Sequence, residues 1–396
     1  MTSKAWMSAA ALALCAFSTP VARAEAAPAD DWKQGRLFDI HTDKLSLKPS
    51  LTEEIWFDSN IYLSDASKDS DFIIVTRPGV DLEYDSKDGG TLAKVGYYFR
   101  SMVYFDFNEL NEVENHFSAS IDQRLGKFKL DAFFKYDQQK TIVDYQAFPI
   151  QGYNVLDFGA KAVYDFNLLD GEVGFERKGY TYDESVYSGY DHDEDRVWVQ
   201  GAYHAWDKTD VLLELAWGQN TGYDATAHND STYVELLVGV KGRPSPKVGV
   251  QAKIGFRSEN YDENPLIPYE DDYSGLIVRI AATWDASDRD RVTLGLLREP
   301  VPSLSSNYYT TNRVTLDYAH AFDNRMRASA GLYYEMASES DQVDDYTRLG
   351  FRIGAGYDIL AWLTLDGRYE YATKSGDIDV YDYDVHRIMF SATARF

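Results

Sequence analysis

Cysteine is almost absent from this chain of 396 residues. Cys15 is the only one, and it lies inside an apolar stretch from Ala5 to Phe17 that Lys4 precedes. Ala22, Arg23 and Ala24 form an A-x-A pattern before Glu25, so residues 1–24 read as a cleaved secretory signal peptide. Leu14 stands where a lipoprotein site needs a small residue, which argues against lipidation of Cys15. The mature chain then has no cysteine, which excludes disulfides, thiolate metal sites and a cysteine nucleophile. Long apolar runs are missing as well. Nothing after the signal segment approaches the roughly 20 apolar residues that a membrane helix needs. Basic residues are few, 39 Lys and Arg against 64 Asp and Glu. The formal charge of −25 becomes about −27 once Lys4 and Arg23 leave with the signal segment. Such acidity argues against nucleic acid as a partner. No H-E-x-x-H, G-x-S-x-G or Walker sequence occurs, and the seven histidines show no metal spacing. His192, between Asp191 and Asp193, is the one suggestive neighbourhood, and an exposed loop histidine accounts for it. The expectation is a protein that is not an enzyme, with no cofactor and no metal site.

Aromatic residues, in contrast, are abundant: 30 Tyr, 20 Phe and 8 Trp in a chain whose mean hydropathy is −0.41. They sit in segments that alternate apolar with polar. The last segment shows the pattern clearly: Ile388, Phe390, Ala392, Ala394 and Phe396 share one face, while Met389, Ser391, Thr393 and Arg395 share the other. A strand of this kind suits a wall between lipid and water, and a terminal aromatic is what the barrel assembly machinery reads. Phe128, Leu130, Ala132, Phe134 and Tyr136 alternate in the same way with Lys129, Asp131, Phe133, Lys135 and Asp137. So do Val248, Val250, Ala252, Ile254 and Phe256 with Lys247, Gly249, Gln251, Lys253, Gly255 and Arg257.

Strands are expected over roughly 45–57, 72–84, 91–107, 115–125, 128–142, 154–166, 172–182, 196–206 and 210–219. They continue over roughly 231–241, 247–258, 273–285, 291–299, 310–319, 326–336, 346–357, 361–372 and 385–396. Short connections (SKDGG, LGK, NLLDG, DKTD, GRPSP, ASDRD, FDNR and the Asp358 to Leu360 link) alternate with long acidic ones. The expected fold is all-β: a transmembrane antiparallel β-barrel of about 18 strands, with short periplasmic turns and long acidic extracellular loops, in the Gram-negative outer membrane. Residues 25–44 are a periplasmic lead-in, 45–396 the barrel, and no folded plug is evident. Outer-membrane lipids and lipopolysaccharide are its surroundings.

Charges of both signs recur on the face assigned to the lumen. The lumen-lining candidates are Arg348, Arg352, Arg368, Arg387, Asp366, Glu370, Arg257 and Arg279, and the first four mark the place where an anion would be met. Pairing across neighbouring strands is the plainer account of such charges. In the outer loops, Asp191, Asp193, Glu270, Asp271, Asp272, Tyr381, Asp382, Tyr383 and Asp384 set carboxylates beside rings. That combination suits sugar hydroxyls and CH faces, divalent cations, or simple solvation.

One segment carries a resemblance. KPSLTEEIWFDSNIYLSDASKDSDFIIVTRPGVDLEY, with Pro49, Ser50, Leu51, Asp58, Asn60, Tyr62, Ser70, Asp71, Pro78 and Gly79, resembles the start of the outer-membrane beta-barrel porin family linked to exopolysaccharide production. It covers about a tenth of the chain, and its residues look structural. The resemblance implies a barrel encoded with polysaccharide synthesis and export machinery, with no catalytic or binding residues to carry over. The leading expectation is therefore a passive conduit for export of a secreted polysaccharide, working with a periplasmic polysaccharide export protein. The alternative is a diffusion porin for small hydrophilic nutrients such as sugars. A third reading is a surface scaffold whose lumen is filled by folded-in loops.

Overall fold

The computed structural model describes residues 40–396 apart from 67, 88, 142–150, 184–186, 225–227, 264–270, 304–305, 324 and 341–344. The expected signal peptide and most of the lead-in lie outside the described residues. A two-residue strand β1 (Ile40–His41) bridges to the first barrel strand. The barrel then runs β2 (Leu45–Asp58), β3 (Asp71–Asp85), β4 (Thr91–Tyr104), β5 (Glu112–Leu125), β6 (Phe128–Thr141), β7 (Gln151–Asp165), β8 (Leu169–Tyr182), β9 (His192–Trp206) and β10 (Thr209–Thr221). It continues through β11 (Ser231–Ser245), β12 (Val248–Tyr261), β13 (Tyr273–Ser287), β14 (Asp290–Pro302), β15 (Tyr308–Ala321), β16 (Met326–Glu339), β17 (Tyr346–Leu360), β18 (Leu363–Gly376) and β19 (Tyr383–Arg395). Each strand pairs antiparallel with its sequence neighbours. β19 pairs back with β2, Arg387 opposite Asp58 through Arg395 opposite Ser50, and closes an 18-strand barrel. Closure satisfies the backbone groups that an open edge would expose to lipid.

Strand count and connection rhythm agree with the sequence expectation; several boundaries move. β4 stops at Tyr104, where the side-chain oxygen of Asn111 takes the Tyr104 N–H (2.7 Å), and a 3-10 turn over Asn108–Leu110 follows. β9 begins at His192, so Asp193 lies in a strand and not in an outer loop; Tyr383 and Asp384 likewise belong to β19. The Asp358 to Leu360 link is the end of β17, and residues 361–362 make the turn. Pairing between β3 and β4 lapses over Arg77 and Pro78 and resumes at Gly79, because Pro78 has no N–H to donate.

The outer wall is apolar. Ile254 and Phe256 on β12, Leu213, Leu215 and Trp217 on β10, and Ile388 and Phe390 on β19 are all exposed. Their strand neighbours Gln251, Lys253 and Met389 turn inward and are buried. The period of two fixes the register, since a slip by one residue would exchange the faces. Ile254→Arg is expected to cost about 2–4 kcal/mol of folding free energy. Urea titration of the barrel in lipid vesicles reads that loss.

Candidate functional site in the barrel interior

Two halves of the lumen differ in chemistry. Towards the short-turn end, the inner faces of β15 to β19 and of β2 and β3 carry small residues, among them Thr52, Ser329, Gly354, Gly356, Ser391 and Thr393. They bound a cavity of about 440 Å³ that Arg77, Arg327, Arg368, Glu54 and Asp366 also line. Towards the long-loop end β19, β2, β3 and the adjoining β4 carry Trp56, Ile73, Val75, Met102, Tyr104, Val385 and Met389, all buried. Residues 59–66, between β2 and β3, turn into the barrel and set Ile61 and Leu63 among them, with Leu110 from the next loop completing the cluster. No folded plug is evident in the sequence, and the inward segment is a loop between two barrel strands rather than a separate plug domain.

This inward turn is held by the residues that carry the resemblance. The Asp58 carboxylate accepts the Asn60 N–H (2.9 Å). The Asn60 amide donates to the carbonyls of Ser64 and Asp384 (2.9 Å each) and accepts the Ser64 N–H (3.1 Å). Asp71 accepts N–H groups from Phe72, Asp106 and Phe107, latching the next loop. Leu63 adopts φ of +50°, a left-handed conformation that costs a branched residue about 1–2 kcal/mol. Lys68 binds Asp384 and Asp65, bonds that raise its ammonium above the usual lysine range. On the other side of the mouth, two loops reach across the ends of β12 and β13: the His228 ring meets the Ser306 carbonyl (3.0 Å), and the Asn229 amide donates to Asn307 (3.0 Å).

The lumen charges form pairs. Glu235 accepts from Arg279 (2.9 Å) and lies within ion-pair distance of Arg196 (3.3 Å) and Arg257 (3.5 Å). Glu214 binds Arg196 (2.6 Å) and Lys253 (2.5 Å), Glu299 binds Arg279 (3.0 Å), and Glu259 meets Arg257 (3.4 Å). Arg257 also stands 4.0 Å over the Tyr233 ring. Glu335 lies between Arg313 and Arg348. Residues from strands two apart meet because these side chains lie flat along the wall. At Gly331, for example, Arg352 crosses the space a side chain would occupy to reach Asp317 (2.6 Å).

The eight lumen candidates thus divide. Arg257, Arg279 and Arg348 are held in these networks, and Arg387 is 1 % exposed against Asp58 (2.7 Å). Asp366 binds Arg327 (2.6 Å), and Glu370 faces Arg368 (3.4 Å). Arg352 and Arg368 keep side-chain exposures of 52 % and 44 %, so of the four arginines grouped together by sequence, these two alone present charge to water. The pairing that locks Arg348 and Arg387 needs partners on neighbouring strands, and the register supplies them.

The outer acidic candidates close their own loops. Asp191 accepts the Tyr182 N–H (2.7 Å), Asp272 the Tyr261 N–H (2.8 Å) and Asp382 the Gly376 N–H (2.8 Å). The Asp271 carbonyl accepts from Asn307 (3.1 Å), Asp193 binds Arg177, Tyr381 stands beside Lys374 (5.5 Å), and Tyr383 is buried against the inward turn. Glu270 lies outside the described residues. Carboxylates that cap strand ends are common turn chemistry. Sequence spacing missed one group at the short-turn end: His204 contacts Asp210 (2.7 Å) and Asp170 (3.5 Å), with Asp165 beside them. Pairing across three hairpins brings these together, and ordinary ion pairing accounts for them.

A barrel with a paired polar lumen, an apolar outer wall and mouth loops folded inward is the architecture of a porin. Residues 44–396 match the family described as "Putative beta-barrel porin 2". The chain belongs to that family. As a porin-type barrel it is an outer-membrane protein, and its short turns then face the periplasm and its long loops the outside. Similar solved structures include the outer membrane protein OpdK from Pseudomonas aeruginosa, at 12% identity over 89% of this chain and 99% of that one, with a TM-score of 0.49. Another is a BenF-like porin from Pseudomonas fluorescens Pf-5, at 10% identity over 88% and 99%, with a TM-score of 0.47. A third is Pseudomonas aeruginosa OccK2 in complex with glucuronate, at 11% identity over 88% and 98%, with a TM-score of 0.48. No curated protein matches the chain.

Proposed function

We propose that this porin is a passive pore for small hydrophilic solutes such as sugars, with no catalytic step. The inward turn at Ile61 and Leu63 carries the reading, because it narrows the outer half of the lumen with apolar side chains buried on the strands around them. The cavity on the periplasmic side, about 440 Å³, is the size of a small-molecule site. A hydrated polymer chain would need the inner wall free along its whole length. The exposed Arg352 and Arg368 beside Asp317 and Glu370 offer hydrogen bonds to hydroxyl-rich or anionic solutes without one dominant sign of charge.

Reconstituted protein is expected to conduct steadily in a planar bilayer. Vesicles containing it should swell in monosaccharide and disaccharide but not in oligosaccharides. A strain lacking the gene is expected to keep its surface polysaccharide. Loss of that polymer, with accumulation in the periplasm, would restore the export conduit in place of the diffusion pore.

A further inference from the structure

Two charged residues stand on the outer wall where lipid is expected. Glu53 on β2 lies between Leu51 and Ile55, with Ala392 and Thr76 as its cross-strand partners. Exposed Ile55, Ile74, Leu365 and Phe390 surround it. Its one hydrogen bond comes from the Thr76 hydroxyl (2.8 Å). Arg298 on β14 lies between Leu296 and Pro300, with Val278 and Asn312 across from it. Exposed Leu276, Leu294, Val314 and Met336 surround it. Its guanidinium donates to the Asn312 side-chain oxygen (2.5 Å). Among the described residues, neither has an opposite charge within ion-pair distance. Among the described residues the other outward charges are paired: Arg177 with Asp193 and Asp195, Asp290 with His320, and Asp384 with Lys68.

Glu53 and Arg298 are each the ninth residue of their strand, and the tilt of the strands leaves Arg298 somewhat nearer the outside than Glu53. β2 and β14 lie six steps apart in the closed ring of eighteen, a third of the circumference, so one barrel cannot join its own pair. An ionisable group facing hydrocarbon is costly and is found where a partner meets it. Around Glu53 the wall is low, with Ala392, Ala394, Thr76 and Ser101 on the outward face, and small residues let two membrane walls approach closely.

We propose that copies of this barrel associate head to tail in the membrane, Glu53 of one copy pairing with Arg298 of the next. The contact is heterologous: an acid on one patch meets a base on a different patch. Thr76 and Asn312 then serve as second hydrogen-bonding partners of the two charges, which a desolvated ion pair requires. The association is independent of which solute the pore passes.

The test uses the mature full-length protein in mild detergent and in lipid vesicles. With no cysteine beyond residue 15, an Ile55→Cys, Leu296→Cys double variant puts one thiol beside each charge and keeps the pair, and a short bis-maleimide is expected to link it into dimers and larger species. Ile55→Cys alone should stay unlinked; a strong link from that single variant would replace the head-to-tail contact with a two-fold one and overturn the proposal. Charge reversal supplies the second arm. Glu53→Arg and Arg298→Glu are each expected to weaken self-association roughly tenfold. The combined reversal should restore it, because the pair is re-formed with its signs exchanged. Cross-strand pairing is untouched by these outward changes, so heat-modifiable migration on gels confirms that each variant is a folded barrel. Wild-type protein that stays monomeric in both media, or reversals without effect on assembly, would overturn the proposal.

Discussion

Replacing Ile61 and Leu63 together with serine is expected to raise single-channel conductance several-fold. The two side chains bury into the cluster around Trp56, Ile73 and Met389, and burial of this kind is worth about 1.5–3 kcal/mol per side chain. Against it stands the left-handed backbone at Leu63, which costs about 1–2 kcal/mol. With both apolar anchors gone, the segment keeps only its polar bonds and the Tyr62–Phe107 ring contact: the Asp58 and Asn60 side-chain bonds, the Ile61 N–H to the Asp69 carbonyl, the Ser59 N–H to the His386 carbonyl, and the exposed link from Lys68, which holds little. The segment then leaves the lumen, and Trp56, Ile73 and Tyr104 become wall. Larger sugars should enter the vesicle assay while heat-modifiable migration stays unchanged, because the strands themselves are intact. A double variant with wild-type conductance and wild-type size cut-off would show that this turn does not set the constriction.

Arg387→Ala is expected to cost about 3–5 kcal/mol, the price of leaving a buried charge without its partner. Arg387 and Asp58 face each other across the pairing of β19 with β2, both essentially inaccessible to water. Replacing both with apolar residues of similar size should recover most of that loss, since neither charge is then stranded. Asp58 has a second task, because its carboxylate also accepts the Asn60 N–H. Variants at Asp58 are therefore expected to change conductance as well as stability, whereas Arg387→Ala changes stability. Urea midpoints and bilayer recordings on the same preparations separate the two effects. Equal conductance changes in both variants would mean that the ion pair and the inward turn are a single unit.

The parts of this fold that depend on local sequence were legible in it. Alternation such as Phe128 through Tyr136 needs one strand to be read, and a turn such as DKTD needs one hairpin. Lumen-side arginines could be assigned to a face, since parity along β17 puts Arg348 and Arg352 on the same side. Their partners could not be assigned. Lys253 reaches Glu214 two strands away, and that contact depends on the relative register of three strands. The inward turn was hidden for a different reason. Ile61 and Leu63 are apolar residues next to the end of β2, and in sequence they look like the tail of a strand or a loop tip at the membrane surface. Their inward direction depends in part on Asn60 meeting the carbonyl of Asp384, 324 residues later, a contact no local stretch of sequence contains. The acidic loop clusters read as ligand-like because several carboxylates are adjacent. In space, Asp191, Asp272 and Asp382 each take a backbone N–H at the end of their own loop.

Closure of the barrel joins segments at opposite ends of the chain, as the bond between the Thr52 and Thr393 hydroxyls (3.1 Å) across 341 positions illustrates. Every other seam can form as soon as one hairpin is complete. This one cannot form until the sixteen intervening strands are in register, so β2 and β19 remain open edges throughout assembly, each able to recruit a foreign strand. The slow step of biogenesis is then the meeting of these two edges, and any factor that inserts the barrel must shield both at once. Asp58 and Arg387 give the edges opposite charges that attract only in the correct register, so the same pair that stabilises the finished wall also selects its partner while the wall is being made.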